Sequence, residues 1–414
     1  MASDLVNDLA GLGMSVEVVT QMPTRNVDDQ TRLAFKGKKR EVRGSIVINR
    51  VAAHFDEQGF LLKRLIHSLL VSAGIFLRAL FIKGDVIFAY STPPTMGLTG
   101  VILSKVKRIP LLYNLQDIFP DSMLNSGVLK GGPILKLGRW LENITYKGSN
   151  RIAVICEDFK RIIMSRGVPE RKIAVVYNWI DEQQVVPVCR TDNVLISRYN
   201  LAADKFYVTY CGNIGLTQNL ELLVDAVHSL REECPDLHCV IIGEGAHKPS
   251  LENYISGRNA GNISVFPFQP YEDIAHVYSL CDIGVVISKQ GISKNSFPSK
   301  TWSIISASRA VLASFDEDSE LCQKINSIGC GICVPPEDFN SLRIALVNAY
   351  NKRGMLAEMG AKGRKFINDH LARRAGTAQF YRLISELTPI TKSEAPEATG
   401  SDVLPEVINI EKNL

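Results

Sequence analysis

The chain has 414 residues, of which 46% are hydrophobic and 22% are charged, and this composition excludes a disordered chain, a collagen-like repeat and a polytopic membrane protein. The length predicts two or three domains, and two are favoured. The net charge of +4 is uneven: residues 1–180 contain 25 Lys and Arg against 15 Asp and Glu, a net +10, and the remainder contains 22 against 28, a net −6. The basic half is therefore expected to meet an anionic partner.

Nucleic acid is not favoured as that partner, because no zinc-finger spacing, RNP-like aromatic motif or strongly basic helix occurs. The nine cysteines are scattered and odd in number, and the first residues do not begin a secretory signal. We therefore expect a cytoplasmic protein without a disulfide framework. The seven histidines show no metal-ligand spacing, and no metal site is predicted.

Short apolar, β-branched runs recur along the chain, each followed by residues with helical period. The predicted strands are 16–20, 86–90, 111–114, 152–155, 173–176, 207–210, 240–242, 263–266, 283–287, 310–313 and 331–334. Such alternation is typical of parallel sheets with crossover helices. It predicts an α/β protein with two doubly wound domains in tandem, residues 1–182 and 183–370. A polar, irregular linker is predicted at 181–200 and a mobile tail at 389–414.

Residues 60–83 do not have the pattern of an ordinary surface helix, because a helix over this segment would be apolar around most of its circumference. Basic residues stand near the ends of this segment, and the resulting pattern is a poor bilayer span. Two interpretations stay open: a buried crossover helix, or an interfacial helix that meets anionic lipid head groups. The basic cluster within residues 36–43 slightly favours the membrane surface.

A glycine-bearing turn opens the second predicted domain. Gly212, Asn213 and Gly215 lie between a strand and a predicted helix, with Gln218 just before that helix. Backbone N–H groups at such a turn can approach a phosphate at the positive helix end. A tight strand-to-helix turn also favours glycine without a ligand, so both interpretations stay open.

The next predicted strand is followed by a similar turn, formed by Gly243, Glu244 and Gly245. Lys248 stands where a third glycine would complete G-x-G-x-x-G. A nicotinamide dinucleotide fingerprint is therefore absent, and the sequence also contains no GxxxxGK[ST] phosphate-binding loop.

A third candidate segment contains Pro298, Ser299 and Lys300. Proline suits the first turn of a helix, which would place Ser299 and Lys300 at the carboxyl edge of the sheet, where α/β domains bind ligands. Lys300 is therefore a candidate partner for a diphosphate. The alternative is a solvated lysine in a first helical turn.

In the first domain, Asp117 follows the predicted strand 111–114. At this position a carboxylate would project into the cleft between the domains, where it could accept a proton or hold a hydroxyl group. An aspartate in a loop is more often a turn residue or a helix cap.

Taken together, these residues resemble glycosyltransferase family 4, the GT-B enzymes that move a sugar from a nucleotide donor. The resemblance covers about residues 3–388 and rests on five segments. These are 113–122 (YNLQDIFPDS), 211–215 (CGNIG), 243–245 (GEG), 298–300 (PSK) and 329–336 (GCGICVPP). The set looks like the L-fucosamine (N-acetyl-L-fucosaminyl) transferases of bacterial O-antigen clusters.

The resemblance implies two tandem Rossmann-like domains with the active cleft between them, and a UDP-sugar bound by the second. The implied donor-binding residues are Gly212, Asn213, Gly215, Gln218, Gly243, Glu244, Gly245, Phe268, Gln269, Asn295, Ser299, Lys300 and Ser303. Phe268 and Gln269 would lie beside the nucleobase. Asp117 would be the catalytic carboxylate. Neither cofactor nor metal is expected, since basic side chains and helix ends can neutralise the leaving diphosphate.

The first domain would bind a lipid-linked saccharide acceptor at the cytoplasmic face of the inner membrane, as a peripheral protein. The sugar implied is N-acetyl-L-fucosamine or a similar N-acetylated deoxyhexose, used in O-antigen or capsular polysaccharide biosynthesis. A helix over residues 371–388 would cross back onto the first domain.

Three departures from the family pattern are visible. Asn295 and Ser303 stand where the wider family has glutamates, and Gln218 and Asn219 replace a basic residue, which leaves Lys300 more of the charge to neutralise. The chain also starts at a predicted helix over residues 3–12, so the first strand of residues 1–182 is expected to be missing.

Two alternative functions stay open. The protein could be a catalytically impaired binding or assembly component of the same pathway, or it could be a sugar-nucleotide epimerase.

Overall fold

Two β-sheets form the framework of the first domain in the computed structural model, which describes residues 1–23, 33, 35, 37–52, 61–121, 132–294 and 297–388. One sheet has the strand order β1-β3-β2, with β2 antiparallel to β3, and the other is fully parallel in the order β4-β5-β6-β7. The strands are β1 (Val16–Gln21), β2 (Arg40–Arg43), β3 (Ile46–Val51), β4 (Ile87–Tyr90), β5 (Leu111–Leu115), β6 (Arg151–Val154) and β7 (Ile173–Val175).

Helices cover both faces of the four-stranded sheet. The helices of this domain are α1 (Ala2–Gly11), α2 (Leu61–Leu80), α3 (Met96–Lys107), α4 (Pro133–Gly148) and α5 (Glu157–Ser165). Leu111, Tyr113 and Leu115 of β5 pack with α3, α4 and α5, whereas Leu112 packs with α1. This alternation follows from the period of two in a strand, and it makes β5 buried on both faces.

The second domain contains one six-stranded parallel sheet in the order β10-β9-β8-β11-β12-β13. Its strands are β8 (Phe206–Cys211), β9 (Leu237–Ile242), β10 (Ile263–Phe266), β11 (Ile283–Ile287), β12 (Ala310–Ser314) and β13 (Gly331–Val334). The chain builds outward from β8 in one direction and then restarts at β11 in the other. Such a switch point leaves a crevice at the carboxyl ends of the two central strands, where α/β sheets bind ligands.

Amphipathic helices bury the sheet of the second domain, as Leu223, Val224 and Val227 do against β8 and β9. The helices are α6 (Val194–Arg198), α7 (Leu220–Ser229), α8 (Lys248–Gly257), α9 (Ile274–Ser279), α10 (Lys300–Ser306), α11 (Glu320–Ile328), α12 (Phe339–Asn351) and α13 (Arg353–Phe366). Short 3₁₀ segments lie at Glu170–Lys172, Arg190–Asp192, Tyr271–Asp273 and Ile292–Lys294.

The chain returns to the first domain through α14 (Arg373–Leu387), which follows a π-helical turn at Ile367–Leu371. Phe380 packs edge-on against Phe88 of β4, with ring centroids 5.2 Å apart. Arg373 donates to Asp8 of α1 at 2.6 Å. The last helix therefore ties the end of the described chain to its beginning.

All eleven predicted strands occur in the structure. The hairpin formed by β2 and β3 was not predicted, because residues 40–43 carry basic side chains and show no apolar run. The expected linker at 181–200 contains a 3₁₀ turn and α6. The expected mobile tail at 389–414 lies outside the described residues.

Helix α2 buries polar residues together with Val71 and Ile75, and it leaves several apolar side chains exposed. The Ser68 and Ser72 hydroxyls bond to Thr95 Oγ1 at 2.7 and 2.6 Å, and both serines are buried. In contrast, Leu65, Leu69 and Leu77 are all more than half exposed. Helix α2 therefore connects β3 with β4, as a crossover helix does, but it is buried on one face only. No helix among the described residues is long and apolar enough to cross a membrane.

Candidate active site

Two glycine turns at the carboxyl ends of β8 and β9 are joined by backbone hydrogen bonds. The Gly212 N–H donates to Ile242 O at 2.9 Å, and the Ile214 N–H donates to Glu244 O at 2.9 Å. The two turns therefore continue the parallel ladder beyond the strands and form one rigid surface at the switch point of the sheet.

This close approach explains the glycines of the second turn. A Cβ atom at Gly243 would lie 1.9 Å from Gly212 O, and one at Gly245 would lie 2.1 Å from Ile214 O. Gly212 itself has a φ of +146°, which L side chains rarely adopt. Gly243 and Gly245 thus hold the first turn in place, while the exposed Glu244 side chain pairs with Lys248 at 2.7 Å.

Polar side chains surround the remaining glycine of the first turn. A Cβ at Gly215 would lie 2.7 Å from Gln218 Oε1 and 2.8 Å from Asn213 Nδ2. Gln218 Oε1 is buried and has no hydrogen-bond partner among the described residues. The structure therefore brings Asn213, Gly215 and Gln218 together.

Lys300 is the first residue of α10 and lies over the Gly212 turn. Its Nζ atom is 3.8 Å from the centroid of the Tyr210 ring and 3.1 Å from the position that a Cβ at Gly212 would take. None of the described carboxylates pairs with it, and burial lowers the pKa of Lys300 to about 8. A cation that is partly withdrawn from water without a counter-ion is costly, so the site favours an anionic ligand.

The other predicted donor-binding residues are distributed around this centre. Ser299 is exposed, whereas Ser303 is buried. Phe268 is 45% exposed, just beyond the carboxyl end of β10. The Gln269 amide donates to the Tyr199 hydroxyl at 2.7 Å and accepts from Arg198 at 2.7 Å. Asn295 lies outside the described residues.

In the first domain, Asp117 lies at the carboxyl end of β5. Its side chain is exposed, and partial desolvation of the carboxylate raises the pKa of Asp117 to about 6. None of the described residues donates a hydrogen bond to this carboxylate. A carboxylate that is unpaired and more basic than usual is suited to accept a proton.

The residue before Asp117 is held by three hydrogen bonds. The Gln116 N–H donates to Ser91 Oγ at 3.0 Å, and its side-chain amide donates to Asn114 Oδ1 at 3.0 Å. Gln116 Oε1 accepts from Asn178 Nδ2 at 2.9 Å. The start of the loop that contains Asp117 is therefore fixed from both β5 and the segment that follows β7.

The two domains meet through reciprocal capping of two helices. The Glu157 N–H at the start of α5 donates to Glu320 Oε2 at 2.5 Å, and the Glu320 N–H at the start of α11 donates to Asp158 Oδ2 at 2.9 Å. Glu320 also accepts from the Tyr177 hydroxyl, and Lys324 lies 4.8 Å from the centre of the Tyr177 ring. Each carboxylate therefore accepts a hydrogen bond from an N–H group at the start of a helix in the other domain.

Sequence reasoning missed Tyr210, Asp316 and Glu320. Tyr210 precedes the first glycine turn and provides the ring beside Lys300. Asp316 follows β12 and accepts from the N–H groups of Gly291 and Ser293 at 2.8 and 3.1 Å, which shapes the loop after β11. Tyr210 ends one predicted strand, and Asp316 follows shortly after another. A polar side chain at the carboxyl end of a strand is the signal that could have identified these two residues.

A cavity of about 570 Å³ lies away from these residues, at the amino-terminal edge of the six-stranded sheet. Its lining includes Lys205, Asp282 and Arg309, which immediately precede β8, β11 and β12. It is therefore on the opposite edge from the glycine turns and takes no part in the candidate site.

Two family models match the chain, one in each half. The model of glycosyltransferase family 4 matches residues 1–184, and that of group 1 glycosyl transferases matches residues 193–366. The chain is a glycosyltransferase. The two matched regions of this glycosyltransferase contain Asp117 in the first half and the glycine turns with Lys300 in the second.

Comparison with known proteins agrees with this assignment. The glycosyltransferase is 27% identical over 350 residues to WcaI of Escherichia coli strain K12, whose name assigns it to colanic acid biosynthesis; the match covers 82% of this chain and 85% of WcaI. Sucrose-phosphate synthase from Thermosynechococcus elongatus superposes with a TM-score of 0.74 at 17% identity, covering 93% of this chain and 92% of the synthase.

Anabaena Alr3699/HepE in complex with UDP superposes with a TM-score of 0.68 at 14% identity, covering 90% of this chain and all of HepE. These structural likenesses confirm the predicted fold: a GT-B arrangement of two Rossmann-like domains.

Proposed function

We propose that this glycosyltransferase moves a sugar from a UDP-sugar to a lipid-linked saccharide in bacterial O-antigen or capsular polysaccharide biosynthesis. The observation that carries the proposal is Lys300, a half-buried cation that lies over the Gly212 turn and has no described carboxylate partner. A diphosphate has the charge that compensates such a cation. Support comes from HepE, whose structure holds UDP, and from WcaI, named for colanic acid biosynthesis.

In the proposed reaction, Lys300 and the N–H groups of the first glycine turn stabilise the negative charge that develops on the leaving diphosphate. Asp117 holds the acceptor hydroxyl and accepts its proton. The hydroxyl oxygen bonds to the anomeric carbon as the bond from that carbon to the diphosphate oxygen breaks, and UDP leaves. The proposal includes no metal ion, because the chain supplies the positive charge itself.

The proposed donor sugar is N-acetyl-L-fucosamine or a similar N-acetylated deoxyhexose, which rests on the sequence resemblance alone. The experiment that tests the function is transfer from a panel of UDP-sugars to an undecaprenyl-diphosphate-linked N-acetylhexosamine in detergent. Turnover with one donor of the panel supports the proposal. Hydrolysis or epimerisation of a UDP-sugar without transfer contradicts it.

We further propose that the first domain docks on the cytoplasmic face of the inner membrane through α2, α3 and α4. These helices lie side by side on one face of the sheets, and each exposes large apolar side chains. The exposed residues are Leu65, Ile66, Leu69, Leu70, Leu77, Ile102, Val106, Ile134, Leu137 and Trp140.

The charges of this surface fit an anionic membrane. Lys63, Lys105 and Lys136 are exposed on the three helices. The only acidic residue in the sequence of these helices is Glu142, which is buried. Exposed apolar side chains next to basic ones are typical of an interfacial surface that binds anionic lipid.

Vesicle binding tests the membrane proposal. We expect the protein to co-sediment with vesicles of phosphatidylglycerol and phosphatidylcholine and to remain unbound with phosphatidylcholine alone. Leu69→Glu is expected to reduce binding at least about tenfold, since it places a charge where the apolar face enters the interface. Ile344→Glu, at an exposed residue of α12 in the second domain, is the matched control. Equal loss in both variants would contradict the proposed surface.

A further inference from the structure

A buried ionic cluster lies directly behind the loop that contains Asp117. Asp121, four residues after Asp117, accepts from Arg139 on α4 at 2.7 Å and also pairs with Arg166. Arg166 donates through its other nitrogen to Glu142 on α4 at 2.5 Å, and Glu142 accepts from the Tyr146 hydroxyl at 2.5 Å. A single guanidinium therefore bridges the loop and the helix behind it.

The two carboxylates of the cluster are strongly shielded from water. The side chains of Asp121 and Glu142 are 8% and 5% exposed, and that of Arg166 is 20% exposed. Buried carboxylates depend on their partners, because an unpaired buried charge is strongly destabilising. Arg139 is 51% exposed and bonds to only one oxygen of Asp121, so its pair contributes less.

The cluster holds one end of the Asp117 loop and the Gln116 hydrogen bonds hold the other. Packing also limits the loop between them, since a Cβ at Gly138 of α4 would lie 2.9 Å from Pro120 Cγ. Asp117 makes no hydrogen bond of its own to the described residues. Its position is therefore set by its neighbours in the chain, and a displacement near 1 Å can cost about a hundredfold in rate.

We infer that Arg166 is a positioning residue for the transfer reaction, which holds Asp117 in place by bridging Asp121 and Glu142. This inference rests on the proposed role of Asp117. Arg166 has a planar guanidinium that reaches both carboxylates at once, whereas a lysine at this position can neutralise one of them but cannot reproduce the two-sided bridge.

A double-mutant cycle tests the inference in the full chain. Arg166→Lys keeps the charge and is expected to lower kcat at least about tenfold with a donor KM within about twofold, because the donor site is on the other domain. Asp117→Asn removes the base. If Arg166 acts through Asp117, adding Arg166→Lys to Asp117→Asn lowers kcat little further.

Further variants distinguish a failure of the positioning role of Arg166 from a failure of the proposed role of Asp117. Arg139→Lys is expected to have a smaller effect, and Arg171→Lys, at an exposed residue beyond the loop after α5, is expected to have none. Equal losses from Arg166→Lys in the wild-type and Asp117→Asn backgrounds overturn the positioning role and leave the role of Asp117 intact. Normal turnover by Asp117→Asn instead overturns the proposed base and the inference with it.

Hydrogen exchange gives a second measurement that needs no substrate. In Arg166→Lys, the amides of residues 116–121 are expected to exchange faster while those of residues 212–218 are unchanged, because only the acceptor-side loop loses its anchor. Unchanged exchange in residues 116–121 would also overturn the inference, even in a preparation with no measurable turnover.

Discussion

The donor side and the acceptor side of the cleft are built from different parts of the chain. In the second domain, backbone groups of two interlocked glycine turns form the site, with the half-buried cation Lys300 beside them. In the first domain, the candidate base stands on a loop that is held by side chains, through Gln116 at one end and Asp121 at the other.

This difference determines how each side can fail. Backbone turns that touch at near contact distance tolerate no added atom, so a small substitution there changes the whole donor surface. Side-chain anchors act one at a time, and loss of one bond leaves the others. We therefore expect the largest effects on the donor side and graded effects on the acceptor side.

The largest effect is expected for Gly243→Ala. The new Cβ would lie 1.9 Å from Gly212 O, and the first turn must move to make room. We expect UDP affinity to fall about a hundredfold and stability to fall by about 1–3 kcal/mol. Gly261→Ala is the matched control, because no atom lies within 4 Å of its Cβ position. Calorimetric titration with UDP and thermal unfolding measure both quantities.

Lys300→Met is expected to separate binding from stability. It removes a half-buried cation that has no described counter-ion, so the ligand-free protein should unfold at the same or a slightly higher temperature. The same change should weaken UDP binding at least about tenfold, because a charge-assisted partner of the diphosphate is lost. A lower melting temperature with unchanged UDP affinity would show that Lys300 is a structural residue.

Local sequence patterns mark the candidate donor side more clearly than the acceptor side, for a physical reason. Gly212, Gly243 and Lys300 are signalled locally, by glycine after a strand and by proline before a helix. The cluster around Asp121 is not, because Arg139 lies on α4 whereas Arg166 follows α5, and neither stands in a recognisable pattern. The hairpin of β2 and β3 was missed because its basic residues hide the strand period.

The pH dependence of kcat/KM reports one group from each side. Asp117 must lose its proton to act as a base, so the rate should rise with pH through about 6. Lys300 must keep its proton to bind the diphosphate, so the rate should fall above about 8. Lys300→Arg is expected to remove the alkaline limb alone, since a guanidinium stays charged. A variant profile that still falls above pH 8 would assign that limb to another group.

The smallest effect is expected for Glu320→Gln, at the contact between the domains. Glu320 is buried, and its carboxylate accepts from the start of α5 while Asp158 caps the start of α11 in return. An amide oxygen keeps part of this bonding but loses the charge that the N–H groups of a helix end favour. We expect the donor KM to rise about threefold, because a weaker contact leaves fewer molecules with both sides of the cleft together.

Solution scattering and a neighbouring variant test whether the higher donor KM results from a weaker contact between the domains. Glu320→Gln should increase the radius of gyration of the ligand-free protein, whereas Glu317→Gln, an exposed residue in the same turn, should not. If both variants raise KM equally, the cause is the charge near the cleft and not the capping. If only Glu320→Gln does so, α5 carries a contact to the second domain at its first turn, and the residue that follows its last turn, Arg166, holds the Asp117 loop. One helix then links the donor-side domain to the acceptor-side base.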